Sequence, residues 1–86
     1  MAGPNEKWSR PVEVRMNREG RRTVAGPFEA LAVLTDSWPG EQSLSFVKAR
    51  SACRGALAGH KSLEDARREF ETAATEARQK FERGRH

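Results

Sequence analysis

Cysteine is almost absent from this chain. Cys53 stands alone, which excludes an intramolecular disulfide and any zinc site built from several thiolates, and points to a reducing compartment. Long apolar runs are missing as well. Nothing approaches the roughly 18 consecutive residues of a membrane span, and Met1-Ala2-Gly3-Pro4-Asn5 has no apolar core of a secretory signal. A cytoplasmic protein without a membrane partner is the expectation. Ligand motifs are wanting too: there is no His-x-x-x-His, no Cys-x-x-Cys and no acidic loop with an EF-hand glycine. Gly26-Pro27 and the stretch from Gly55 to Gly59 fit neither phosphate-cradling pattern, so no metal and no cofactor is expected. Neither an internal repeat nor a low-complexity tract is present, which sets solenoids and arrays aside.

What is present suits one small folded unit. A chain of 86 residues suffices for one domain and not for two, so a single core serves all of it. Hydrophobic residues make up 36% and charged residues 33%, a polar composition that still supports a core, with a modest stability margin. The formal charge is +4 and unevenly placed: residues 1–62 hold 10 Lys or Arg against 6 Asp or Glu, and residues 63–86 hold 6 against 6. A basic surface can serve nucleic acid through counterion release. Arg outnumbers Lys 12 to 4, however, a bias that GC-rich coding produces without any binding role.

Residues 1–7 are small and polar and read as a disordered tail; residues 8–83 read as the domain and 84–86 as a second tail. From Pro11 the run Pro-Val-Glu-Val-Arg-Met alternates, setting Val12, Val14 and Met16 on one face of a half-buried strand and Glu13 and Arg15 on the other. Asn17-Arg18-Glu19-Gly20 has turn chemistry, and Arg21-Arg22-Thr23-Val24 returns as a second strand. A register with Val14 opposite Val24 joins the two apolar faces. A lone hairpin is marginal, so helices must cover its apolar side.

Three helices follow. Gly26-Pro27-Phe28-Glu29 opens the first, with Pro27 where no donor is lost and Glu29 near the positive dipole end. Ala30, Leu31, Leu34 and Trp38 recur at helical spacing until Pro39 stops the helix at Ser37 or Trp38, and Trp38 is expected to close the core there. The second helix runs from Glu41 or Ser43 to Ala58, with Phe46, Ala49, Cys53, Ala56 and Leu57 inward and Gly59 ending it. Gly55 within it marks a close helix crossing or a tolerated weakness of about 1 kcal/mol. Ser62-Leu63-Glu64-Asp65 is a capping start for the third, whose stripe of Leu63, Ala66, Phe70, Ala73, Ala74, Ala77 and Phe81 runs unbroken toward Gly84. Over residues 63–83 that helix measures about 30 Å, so its end either frays in solvent or buries Ala77 and Phe81 against a second copy in a homodimer. The expected architecture is α+β, a two-stranded β-hairpin packed against three α-helices in the order ββααα.

Acid–base catalysis needs titratable groups that converge in a dry pocket, and here they are scattered. Cys53 lies on an apolar stripe, where cysteine is ordinarily a small buried hydrophobe; His60 falls beyond the second helix and His86 is the last residue. No catalytic residue is assigned and no enzyme is expected. Glu64, Asp65, Glu69 and Glu76 read as solvated helix charges, Glu64 pairing with Arg68 and Glu76 with Lys80. One surface feature stands apart: Arg15, Arg18, Arg21 and Arg22 crowd the hairpin. They form a candidate patch for an anion or a partner, or a charged edge that resists pairing with other chains. No aromatic lies on either strand, which counts against single-stranded nucleic acid.

The landmarks form a pattern. Trp8 comes with Pro11-Val12 and Val14, then Ala30-Leu31 with Leu34 and Trp38-Pro39. Ala49, Cys53, Ala56-Leu57 and Gly59 follow, then Ala66-Arg67, Phe70 and Ala73-Ala74. In order and spacing, from Trp8 to Ala77, the chain resembles domain of unknown function 982, a family of short uncharacterised bacterial proteins. The resemblance implies a compact two-strand, three-helix fold, with no established activity and no catalytic residue to carry over. Arg67 is the polar exception among matching positions that are otherwise apolar, small or helix-ending; the charged stretch after Ala77 departs from the pattern. Three functional classes follow in rank: a protein-interaction or accessory module, homodimeric in one version; a basic nucleic-acid-associated accessory protein using the hairpin arginines; and an enzyme. The first implies an exposed apolar patch involving Phe28, Phe81 or Trp8, the second a continuous positive face.

Overall fold

The computed structural model describes residues 7–16 and 20–83, the last three as backbone. Residues 1–6, 17–19 and 84–86 and the side chain of Phe81 lie outside the described residues, and with them most of the two expected tails. Strands β1 (Val12–Met16) and β2 (Gly20–Val24) form an antiparallel hairpin, followed by helices α1 (Pro27–Asp36), α2 (Leu44–Leu57) and α3 (Leu63–Arg83). This is the α+β, ββααα order read from the sequence. Among the described residues no helix is long and apolar enough to cross a membrane.

The hairpin register differs from the expected one. Val12, not Val14, faces Val24, while Val14 faces Arg22, Arg15 faces Arg21 and Met16 faces Gly20. A two-residue shift keeps every side chain on its own face, so alternation alone does not choose between these registers. The sheet that results is lopsided. Val12, Val14 and Met16 are all buried, with α3 packed on β1, whereas β2 buries Val24 alone. Arg22 shares the core-side face yet remains in solvent, because α3 covers β1 and not its neighbour.

The most extensive helix contact joins α2 and α3. Their buried positions are mostly small: Ala49, Ala52, Cys53 and Ala56 on one, Ala66, Ala73 and Ala74 on the other. Small side chains let the helices approach, and aromatic rings fill the remaining space. Phe70 is central among these, its ring centroid 5.7 Å from Trp8 and 5.8 Å from Trp38, and Trp38 lies 5.9 Å from Phe46. The tilted geometry suits the quadrupoles of the rings. Trp8 is the more deeply buried tryptophan at 6% exposure; Trp38, expected to close the core, is half-buried and packs on its rim, and Leu57, expected inward, is only half-buried. The Trp8 backbone N–H donates to the Ala25 carbonyl at 2.7 Å, tying the segment before β1 to the residue after β2. Among the described residues, Trp8 Nε1 is the one fully buried side-chain polar atom without a hydrogen-bond partner.

Helix ends follow the local chemistry. Glu29 accepts from the Ala25 N–H at 3.0 Å just ahead of α1, and Ser62 accepts from the Asp65 N–H at 3.0 Å at the start of α3. Ser43, rather than Glu41, caps α2 by accepting from the Phe46 N–H at 3.3 Å. The Gly55 carbonyl accepts from both the His60 and Lys61 N–H groups, and a Cβ at residue 55 would lie 2.9 Å from Lys61 Cγ. Gly55 thus makes room for the chain turning back after α2, not for a helix crossing.

The far half of α3 is anchored. Glu76 accepts from Ser43 Oγ at 2.5 Å and from Ser45 Oγ at 3.1 Å, so it clamps the start of α2 instead of standing as a solvated charge. Lys80 pairs with Glu41 at 3.4 Å, and Arg68 with Asp65 at 3.4 Å instead of Glu64. Above Ala77 lies Gly40: a Cβ there would fall 3.0 Å from Ala77 Cβ. The connection between α1 and α2 therefore partly covers Ala77.

The Ser43 hydroxyl, opposed by partial desolvation and helped by Ser45 and the charge of Lys80, holds the Glu76 carboxyl below its ordinary range. A folded-state value depressed in this way stabilises the protein above the unfolded-state value, and the contribution is lost as pH falls through the folded one. Glu76→Gln is expected to flatten the decline of melting temperature on acidification below the ordinary glutamate range. Parallel pH profiles for parent and variant would remove Glu76 as a source of acid sensitivity.

Candidate partner-binding face

Alternation along the strands decides which hairpin arginines meet. Arg15 and Arg21 are directly opposite each other on the outer face, which also carries the Glu13–Thr23 pair. Arg22 occupies the other face, opposite Val14, and Arg18 lies outside the described residues. The compact patch of Arg15, Arg18, Arg21 and Arg22 expected from the sequence is therefore divided, because neighbours on a strand point to opposite sides.

A residue far away in sequence joins the outer pair. Arg78 of α3 comes beside Glu13, Arg15 and Arg21, and these four side chains line a notch of about 220 Å³. Hairpin residues give no hint of Arg78. Its own helix does, since it follows Phe70 and Ala74 at successive four-residue steps and so continues the packed side of α3 beyond the core. Arg21 Nη1 lies 3.5 Å from Glu13 Oε1, with the side chains 72% and 62% exposed, a pair contributing up to about 1 kcal/mol. Arg15 is half-buried and Arg78 exposed. Among the described residues, three guanidinium groups and one carboxylate line the notch.

Arg67, the polar member of the landmark pattern, belongs to the framework. Its side chain is 8% exposed, Nε donates to the Arg10 carbonyl at 2.7 Å, and Nη1 lies 3.3 Å from Glu71 Oε1. It joins α3 to the segment leading into β1. Cys53 is fully buried, its thiol pushed up to about 12 by desolvation, while His60 is in solvent. Among the described residues, no three His, Cys, Asp or Glu side chains come together as metal donors.

A model of the family described as Protein of unknown function (DUF982) matches residues 10–81. The chain belongs to this family. The DUF982 match takes in both strands, all of α1 and α2, and α3 as far as Phe81. No curated protein matches the chain. Among solved structures, an NMR structure of an Agrobacterium tumefaciens protein, a structural genomics target, is similar at TM-score 0.68 and 29% identity, covering 83% of this chain and 73% of that one.

A second surface is apolar. Phe28 is 55% exposed on α1, where it lines a shallow hollow with Leu31 and Ala32, and Leu44 and Val47 are exposed on α2. Of the aromatics expected at such a patch, Phe28 is there and Trp8 is inside the core.

Proposed function

We propose that this DUF982 chain is a non-enzymatic protein-interaction or accessory module of the bacterial cytoplasm. The observation that carries the reading is Phe28, more than half exposed beside Leu31 and Ala32 while alanines occupy much of the helix–helix core. Phe28, Leu31 and Ala32 lie together in one shallow hollow, and a contiguous apolar patch, unlike a lone exposed side chain, suits a surface that meets another protein. Cys53 and His60 are separated by burial, and the Glu76 and Arg67 contacts hold helices and strands in place; these placements support a role without catalysis.

Phe28→Glu tests it. An acidic residue suits the first turn of α1, and a substitution at an exposed site changes stability by only about 0.5 kcal/mol. The variant is expected to lose a protein partner captured by the parent from nuclease-treated extract of the native cell. Equal capture by both would overturn this surface, and sedimentation at two concentrations shows whether that partner is a second copy. The alternative of a basic nucleic-acid-associated accessory protein draws support from the meeting of Arg15, Arg21 and Arg78 and is weakened by the separation of Arg22. Capture abolished by nuclease would favour it.

A further inference from the structure

We propose that the notch between the hairpin and α3 docks a carboxylate-rich segment of a protein partner, gripped by Arg21 and Arg78 beside Arg15, with the chain's own Glu13 as the internal competitor. This rests on the reading of the chain as a protein-interaction module and names the chemistry of what it binds.

The strand ladder sets Arg15 opposite Arg21, an arrangement of like charges that is costly in a sheet. Glu13, on the diagonal from Arg21, offsets part of that cost, and α3 adds a third guanidinium through Arg78. Glu13 thus shows which ligand the notch already accepts: a carboxylate on a flexible side chain. At 3.5 Å and largely exposed, the Glu13–Arg21 contact is weak enough to be exchanged for an incoming carboxylate. Arginine favours this exchange, because its planar fork meets a carboxylate through paired charge-assisted hydrogen bonds.

The same geometry disfavours a nucleic-acid backbone. A notch of about 220 Å³ accommodates one or two side chains and is not a track for successive phosphates. Glu13 stands within it, Arg22 faces away, and neither strand carries an aromatic residue on which a base could stack.

The test measures binding of a short fluorescent oligoglutamate and of a short DNA duplex to the full chain, at low and at physiological salt. Arg21→Ala/Arg78→Ala is expected to weaken oligoglutamate binding by about tenfold or more, as the loss of two charge-assisted contacts implies. Glu13→Gln is expected to strengthen it by about two- to fivefold, since the competing carboxylate is gone. Lys48→Ala/Arg54→Ala, the same charge change at exposed positions of α2, is expected to leave it unchanged. Equal losses in the two double variants, no binding of oligoglutamate by the parent, or tighter binding of the duplex through Arg21 and Arg78 would each overturn the proposal. Partner capture retained by Arg21→Ala/Arg78→Ala but lost in Phe28→Glu would overturn the notch alone. No protein captured by the parent would overturn the module reading with it.

Discussion

Phe70→Ala is expected to lower the unfolding free energy by about 3 to 5 kcal/mol. Phe70 is fully buried and meets both tryptophans, and the buried positions of α2 and α3 are mostly small, which leaves little to fill the space it vacates. Domains of this length have a total stability of about 4 to 13 kcal/mol, so the loss takes a large share of it. The urea midpoint should fall with little change in slope. Trp38→Ala, at a half-buried site, should cost less, about 1 to 3 kcal/mol. A Trp38→Ala loss matching that of Phe70→Ala would place the centre of the core at the α1–α2 connection instead of on α3.

The second large effect is expected at Arg67. Arg67→Ala removes the donor to the Arg10 carbonyl and the apolar stem that fills the space around it, and should cost on the order of 2 to 4 kcal/mol. Arg67→Met keeps the stem and loses the donors; Arg67→Lys keeps the charge but cannot place a donor where Nε lies. Both should fall between the parent and Arg67→Ala. Glu71 is 51% exposed and rehydrates when its partner is lost, so Glu71→Gln is expected to cost no more than about 0.5 kcal/mol. If Glu71→Gln is as damaging as Arg67→Lys, the ion pair and not the carbonyl contact holds the segment before β1.

Much of this architecture is legible because local signals agree with the packing. Pro27, Ser43 and Ser62 mark helix starts through the chemistry of exposed amides, and the stripe from Leu63 to Ala74 follows the helical period. Where the reading failed, the missing information was non-local or two-valued. Strand alternation restricts the hairpin to registers two residues apart, and the choice of Val12 as the partner of Val24 goes with tertiary packing, in which α3 lies on β1. Arg78 reaches the hairpin by tertiary packing, with no signal in the hairpin sequence itself. The split between Arg21 and Arg22 was legible from alternation, and crowding in the sequence obscured it. Glu76 looked solvated because a spacing of four residues to Lys80 is favourable in an isolated helix, but the serines at the start of α2 supply closer partners.

The unequal burial of the two tryptophans gives the protein a built-in optical probe. Trp8 lies in an apolar surround and Trp38 at its edge, each within 6 Å of the Phe70 ring by centroid. Iodide should quench the emission of Trp38 first and that of Trp8 only when the segment ahead of β1 detaches. Single Trp→Phe variants would then report separately on loosening at the α1–α2 connection and on opening of the hairpin, two events that a melting curve alone merges.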